Sequence, residues 1–130
     1  METTKQNQSI TEKVKTFEDA CAIEAPSEDV SNLLSYKGQD KDLLAAQAWA
    51  KMNHIRKVLN EGWEPDWMNS NQWKFYPWFK MNTGSGLSYG DYGYVFSTSH
   101  VGSRLCFKTS ELAEYAGTQF LDIYKLFMTL

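Results

Sequence analysis

A chain of 130 residues with 42% hydrophobic and 15% aromatic residues can bury one sizeable core, which predicts a single folded domain. The formal net charge of −3 is unevenly placed: residues 1–40 carry eight acids against four Lys or Arg, and 41–130 carry eight against nine. A near-neutral body argues against duplex DNA binding, which asks for a basic face. Cys21 and Cys106 are the two cysteines, and with no export signal and no apolar run long enough to span a membrane they predict buried thiols in a reducing compartment, with no membrane partner.

Residues 1–15 are rich in Thr, Gln, Asn, Lys and Glu and predict a flexible polar arm ahead of one α+β domain over 16–130. Thr16 reads as the N-cap of a helix whose first turn carries Glu18 and Asp19. Ser27 caps a second, short helix with Val30, Leu33 and Leu34 at helical spacing, ended by Gly38. A long helix follows from about Lys41 to Leu59, with Leu43, Leu44, Ala48, Met52, Ile55, Val58 and Leu59 on one face and a stop at Asn60-Glu61-Gly62.

After Gly62 the period changes. Seven aromatic residues fall within positions 62–81, four of the five tryptophans among them. From Gln72 to Met81 an extended chain puts Trp73, Phe75, Phe79 and Met81 on one side and Lys74, Tyr76, Trp78 and Lys80 on the other. Pro77 marks an edge strand or a bulge. A glycine turn at 82–86, a second strand from Leu87 to Phe96 loosened by Gly90 and Gly93, and a third from Val101 to Lys108 predict an antiparallel three-stranded meander over about 72–108. A last helix, about 110–128, is capped at Thr109-Ser110-Glu111 and carries Leu112, Ala113, Ala116, Phe120, Ile123, Tyr124 and Phe127 on its apolar face. The fold expected is α+β, the meander packed with the long central helix and the C-terminal helix.

The strings Thr16-Phe17-Glu18-Asp19-Ala20-Cys21, Asn60-Glu61-Gly62-Trp63-Glu64-Pro65, Tyr76-Pro77-Trp78-Phe79, Gly102-Ser103-Arg104-Leu105-Cys106-Phe107-Lys108 and Leu112-Ala113-Glu114-Tyr115-Ala116-Gly117-Thr118-Gln119-Phe120, in that order, resemble a family of small proteins encoded by phages and prophages of gut bacteria. The resemblance spans about Thr16 to Phe127. It implies a phage gene expressed in a bacterial host, hence the host cytoplasm or the virion, and it transfers no catalytic residues. Members of such a family are expected to differ most over 84–99.

Trp73, Phe75 and Phe79 are expected in the core. Tyr76 and Trp78, alternating to the opposite face beside Lys74 and Lys80, form a surface that Tyr89, Tyr92, Tyr94 and Arg104 would extend. A second helix layer over this face, and an ion pair from Arg104 to Glu111, Glu114 or Asp66, are the structural explanations of the same residues. As a functional surface it fits a protein partner, whether a phage protein, a host protein or a second copy in a homo-oligomer. It also fits a stacking ligand: a nucleotide or single-stranded nucleic acid, such as a nucleotide signal sequestered in counter-defence. The protein partner is preferred because the body is near neutral and the glycines at 84–86 and 90–93 lack the Lys-Ser/Thr ending and strand-to-helix setting of a phosphate loop. No enzyme, metal site or cofactor is expected. His54 and His100 have no paired-ligand spacing with the cysteines or carboxylates, and Cys106 and His100 are six apart on an extended chain, about 20 Å.

Overall fold

A computed structural model describes residues 9–83, 86–98 and 103–129. The chain order is α1 (Ile10–Lys13), α2 (Phe17–Ile23), α3 (Glu28–Leu34), α4 (Lys41–Leu59), β1 (Lys74–Thr83), β2 (Gly86–Val95), a 3₁₀ turn (Ser103–Leu105), α5 (Ser110–Gln119) and α6 (Leu121–Thr129). The architecture is α+β, with a two-stranded antiparallel sheet. The glycine turn at 84–85, His100 and the first residues of the expected third strand, Val101 and Gly102, lie outside the described residues.

Local chemistry sets the helix starts where the sequence places them. Thr16 Oγ1 accepts the Asp19 N–H at 3.1 Å while Asp19 Oδ2 accepts the Thr16 N–H at 3.2 Å, a reciprocal capping box. Ser27 Oγ accepts the Val30 N–H, and Asp40 Oδ1 accepts those of Asp42 and Leu43. The free carbonyls at the end of α3 are collected by one side chain of α4: Gln47 Nε2 donates to Leu33, Leu34 and Tyr36, at 3.0, 3.3 and 2.7 Å. At the end of α4 the backbone turns left-handed at Glu61 (φ 52°) and Gly62 (φ 91°), which stops the helix at the expected residue.

Of the segment read as a polar arm, residues 9–15 are part of the folded body. Val14 is fully buried, Tyr115 donates its hydroxyl to the Val14 carbonyl at 2.6 Å, and the Gln119 side chain donates to the Lys15 carbonyl at 2.8 Å. Val14 holds this segment although its local window is polar, because Tyr115, which bonds it, lies about a hundred residues away in sequence, where composition over a local window does not register it.

Among the described residues the expected three-stranded meander is two strands and a single bridge. Phe75 and Phe107 exchange both backbone hydrogen bonds, at 3.0 and 2.7 Å, but the residues before Phe107 form the 3₁₀ turn instead of a ladder. On the edge of this segment away from β1, Asn60 Nδ2 donates to the Cys106 carbonyl at 3.0 Å and its Oδ1 accepts the Lys108 N–H at 3.1 Å. The backbone groups flanking Phe107 are thereby satisfied by a side chain. Leu105, Cys106 and Phe107 are buried in succession, so the alternation read for this strand does not hold.

The single C-terminal helix is two. Phe120 adopts φ −111°, ψ 28°, between α5 and α6. The core-facing residues Leu112, Ala113, Ala116, Phe120 and Tyr124 keep their order through the turn, which is why the apolar period reads as one helix. The turn lets α5 cross the sheet while α6 packs along α4. Met52, Ile55, Val58 and Leu59 of α4 meet these residues, with Leu87 and Phe107, to make the core.

The Asn60 bridge generates a stability prediction. Asn60→Ala removes two buried hydrogen bonds and strands a carbonyl and an N–H, so urea unfolding should show a loss of about 2–4 kcal/mol. A loss under about 0.5 kcal/mol would mean that water replaces the amide and that the bridge does not join the two halves.

Candidate functional site

The hairpin register decides which side chains share a face. Phe75 pairs with Tyr94, Pro77 with Tyr92 and Phe79 with Tyr89; Lys74 pairs with Val95, Tyr76 with Gly93, Trp78 with Asp91 and Lys80 with Ser88. Opposed residues point to the same side. Gly90 is the extra residue of a bulge between Trp78 and Phe79. One face therefore carries Trp73, Phe75, Phe79, Tyr89, Tyr92 and Tyr94, and the other Lys74, Tyr76, Trp78 and Lys80.

Helices α5 and α6 pack on the first face. A Cβ added at Gly117 would lie 2.6 Å from Tyr89 Cδ1 and 2.8 Å from Pro77 Cβ, so α5 crosses here almost backbone to side chain. Phe79 and Tyr124 of α6 sit with ring centroids 4.7 Å apart. Tyr89 is consequently wedged between sheet and helix, and burial, reinforced by Glu114, Asp91 and Tyr92, pushes its phenol up.

The same face continues past the helices as an aromatic cluster. Trp73 lies 4.6 Å from Tyr94, 5.0 Å from Phe96 and 5.9 Å from Phe75, and Phe75 lies 5.9 Å from Tyr92, centroid to centroid. Trp73, Tyr92 and Tyr94 remain 49%, 39% and 51% exposed. Trp73 is thus outside the core in which the alternation placed it, while Phe75 and Phe79 are half-buried against the core. Tyr89, Tyr92 and Tyr94 belong to this face, opposite to Tyr76 and Trp78: the bulge at Gly90 and the register, which the sequence does not encode legibly, decide the side.

Lys74 is the largest correction. Expected as a surface cation, it is fully buried, and its ammonium donates to the carbonyls of Asn69 at 3.3 Å, Gln72 at 3.1 Å and Phe96. The Trp67 ring covers it, 4.9 Å from Nζ to the ring centroid. This cation staples the loop after α4 to the end of β2 and is withdrawn from any ligand. Lys80 is exposed, on the face with Trp78.

Arg104 is the middle residue of the 3₁₀ turn, exposed, and stands close enough to Arg56 of α4 to act on it electrostatically. Burial pulls the Arg56 guanidinium below its usual value; Glu64, 3.8 Å away, offsets part of this and Arg104 adds to it. Among the described residues Arg104 forms no ion pair with Glu111, Glu114 or Asp66. The eight expected site residues therefore split into Tyr76, Trp78 and Lys80 on one face, Tyr89, Tyr92 and Tyr94 on the other, Lys74 inside, and Arg104 beside the long helix.

The candidates for catalysis are occupied otherwise. His54 is buried, its Nε2 2.7 Å from the Glu24 carbonyl and its ring edge-on to Phe17. Cys106 is buried, and burial pushes its thiol up from 9.0 to about 11, with Lys74 and Arg56 drawing it partly back. Among the described residues no three His, Cys, Asp or Glu side chains converge on a metal position. A groove of about 360 Å³ between α1, α2 and α4, lined by Ile10, Lys13, Ile23, Glu24, Lys57 and Val58, is spanned by the Lys57–Glu24 ion pair at 3.1 Å. Among the described residues no helix is long and apolar enough to cross a membrane. No protein-family model, curated protein or solved structure matches the chain.

Two measurements check this electrostatic arrangement. Lys74→Met keeps the volume but leaves three carbonyls without their donor, so unfolding free energy should drop by about 2–4 kcal/mol; full retention would place those carbonyls in water. For Cys106, the unfolded thiol ionises near 9.0 and the folded one near 11, so its stabilising contribution is whole below pH 9.0 and is lost as pH rises to about 11. The loss should reach about 2 kcal/mol, and Cys106→Ala should flatten the fall of urea midpoint over that window; an unchanged slope would mean that the thiol is accessible.

Proposed function

We propose that this protein acts without catalysis, through protein contacts made by the aromatic cluster of Trp73, Phe75, Tyr92, Tyr94 and Phe96. The observation that carries the reading is that in a cluster of five interlocked rings three, Trp73, Tyr92 and Tyr94, stay 39–51% exposed at the end of a face whose remainder is covered by helices. Isolated exposed rings are ordinary, whereas a contiguous aromatic patch is costly to leave in water and is enriched at interfaces. Rings braced against each other lose little conformational freedom on binding, which favours them as anchors. The buried thiol of Cys106 and the carbonyl-bound His54 support a non-catalytic role.

The setting is the one implied by the sequence resemblance: a phage accessory protein in the cytoplasm of a bacterial host, or in the virion. The partner would be a phage or host protein, or a second copy of this chain. The nucleotide or single-stranded nucleic-acid alternative loses support from the burial of Lys74 and from the distribution of Arg104 and the tyrosines away from Trp78.

The test is recovery of the tagged full-length chain from infected host cells, with quantitative mass spectrometry, beside a Trp73→Ser/Tyr94→Ser variant. A stoichiometric protein partner should accompany the parent chain, and the variant should lose about 2–4 kcal/mol of binding with its melting temperature within a few degrees. Equal recovery with both chains would sink the assignment of the interface to this cluster.

A further inference from the structure

The opposite face of the hairpin holds a second aromatic arrangement, distinct from the cluster and built differently. A Cβ at Gly90 would lie 2.5 and 3.0 Å from Cε3 and Cη2 of Trp78, and one at Gly93 would lie 2.8 Å from Cζ and the hydroxyl oxygen of Tyr76. Each ring lies across a cross-strand glycine and fills the space that any larger residue would occupy. The glycines read from sequence as loosening the strand are thus the seats of two rings. Trp78 is nevertheless 44% exposed, while the helices pack on the other face.

Rings laid along a sheet turn a face outward and are ordered before any ligand arrives. Tyr76 and Trp78 are two residues apart on one strand, so their attachment points are about 7 Å apart. Beside them stand Asp91, paired with Trp78, Ser88 and Lys80. Asp91 Oδ1 accepts the Tyr92 N–H at 2.8 Å, which fixes the carboxylate and leaves Oδ2 for another donor.

Charge selects the ligand class. A stacked nucleotide strand brings a phosphate per base and needs several cations. This face offers one, Lys80, opposed by the Asp91 carboxylate, because Lys74 is consumed inside the protein. A pyranose suits it better: its C–H face packs on an aromatic ring, it carries no charge, and its hydroxyls donate to a carboxylate in a charge-assisted hydrogen bond. We propose that Tyr76 and Trp78, with Asp91, form a platform for a neutral oligosaccharide. The protein interface assigned above lies on the other face, so either assignment can fail alone.

The experiment follows the Trp78 indole N–H of the full-length, ¹⁵N-labelled protein by NMR, its signal assigned with Trp78→Phe. The probes are a panel of α- and β-linked neutral hexose tetrasaccharides and, separately, a short oligothymidylate at low and high salt. Expected is a shift of the Trp78 signal alone among the tryptophans with a Kd at or below about 1 mM for at least one saccharide, weakened at least about tenfold by Trp78→Ala and several-fold by Asp91→Asn. Gly90→Ala, which keeps the tryptophan but evicts its ring from its seat, should weaken binding as much as Trp78→Ala; the two surface variants keep the test valid if this one misfolds. No shift with any saccharide at ~10 mM overturns the proposal. A salt-sensitive shift with the oligothymidylate alone assigns the face to nucleic acid instead.

Discussion

Asn60 stands where the long helix ends, fully buried, and its side-chain amide gives its donor to Cys106 and its acceptor to Lys108. Between those two residues Phe107 pairs with Phe75 at the start of the hairpin. One residue thus ties the helical half to the sheet, and the tie is geometrically demanding because both ends of a planar amide must meet backbone groups on either side of one residue. The two groups it bonds point away from β1, so the amide satisfies the outer edge of this segment while Phe107 pairs inward with Phe75. Everything beyond, the hairpin and both its faces, is positioned from this point.

A two-stranded hairpin is marginal alone and takes its stability from what covers it. Here α5 comes close at Gly117, Phe79 meets Tyr124, and the base is stapled by Lys74. That support is confined to part of one face and one end. The remaining aromatic surface is held by rings packing on rings on one side and rings packing on glycines on the other. Both devices shield the backbone of the hairpin, and both leave large apolar area at the surface in a fixed arrangement, which is the physical precondition of recognition.

Three helix starts were legible because a cap is a local event: Thr16, Ser27 and Thr109 each bond an N–H within three residues. The stop at Glu61-Gly62 was legible for the same reason. The break at Phe120 was not, since the apolar period runs on across it. Nor was the docking of Val14, which depends on Tyr115 at the far end of the chain. For the candidate surfaces, alternation along β1 separated Tyr76 and Trp78 from Phe75 and Phe79 correctly. It could not place the tyrosines of β2, because their side follows from the bulge at Gly90 and the pairing with β1.

Lys74 shows how a correct face and a wrong environment can go together. Alternation puts it with Tyr76 and Trp78, as the pairing with Val95 bears out, yet the loop at 66–72 folds over that end of the face and three carbonyls take the ammonium. Those carbonyls must be satisfied if the loop is to close, and a lysine at the strand's first position is long enough to reach them. The structural use of that cation has a chemical consequence at the surface: the exposed part of the face keeps two rings, a carboxylate and one lysine. A face so composed disfavours polyanions by what has been withdrawn from it, and its proposed preference for a neutral, hydroxyl-bearing ring follows from the same stapling that closes the fold.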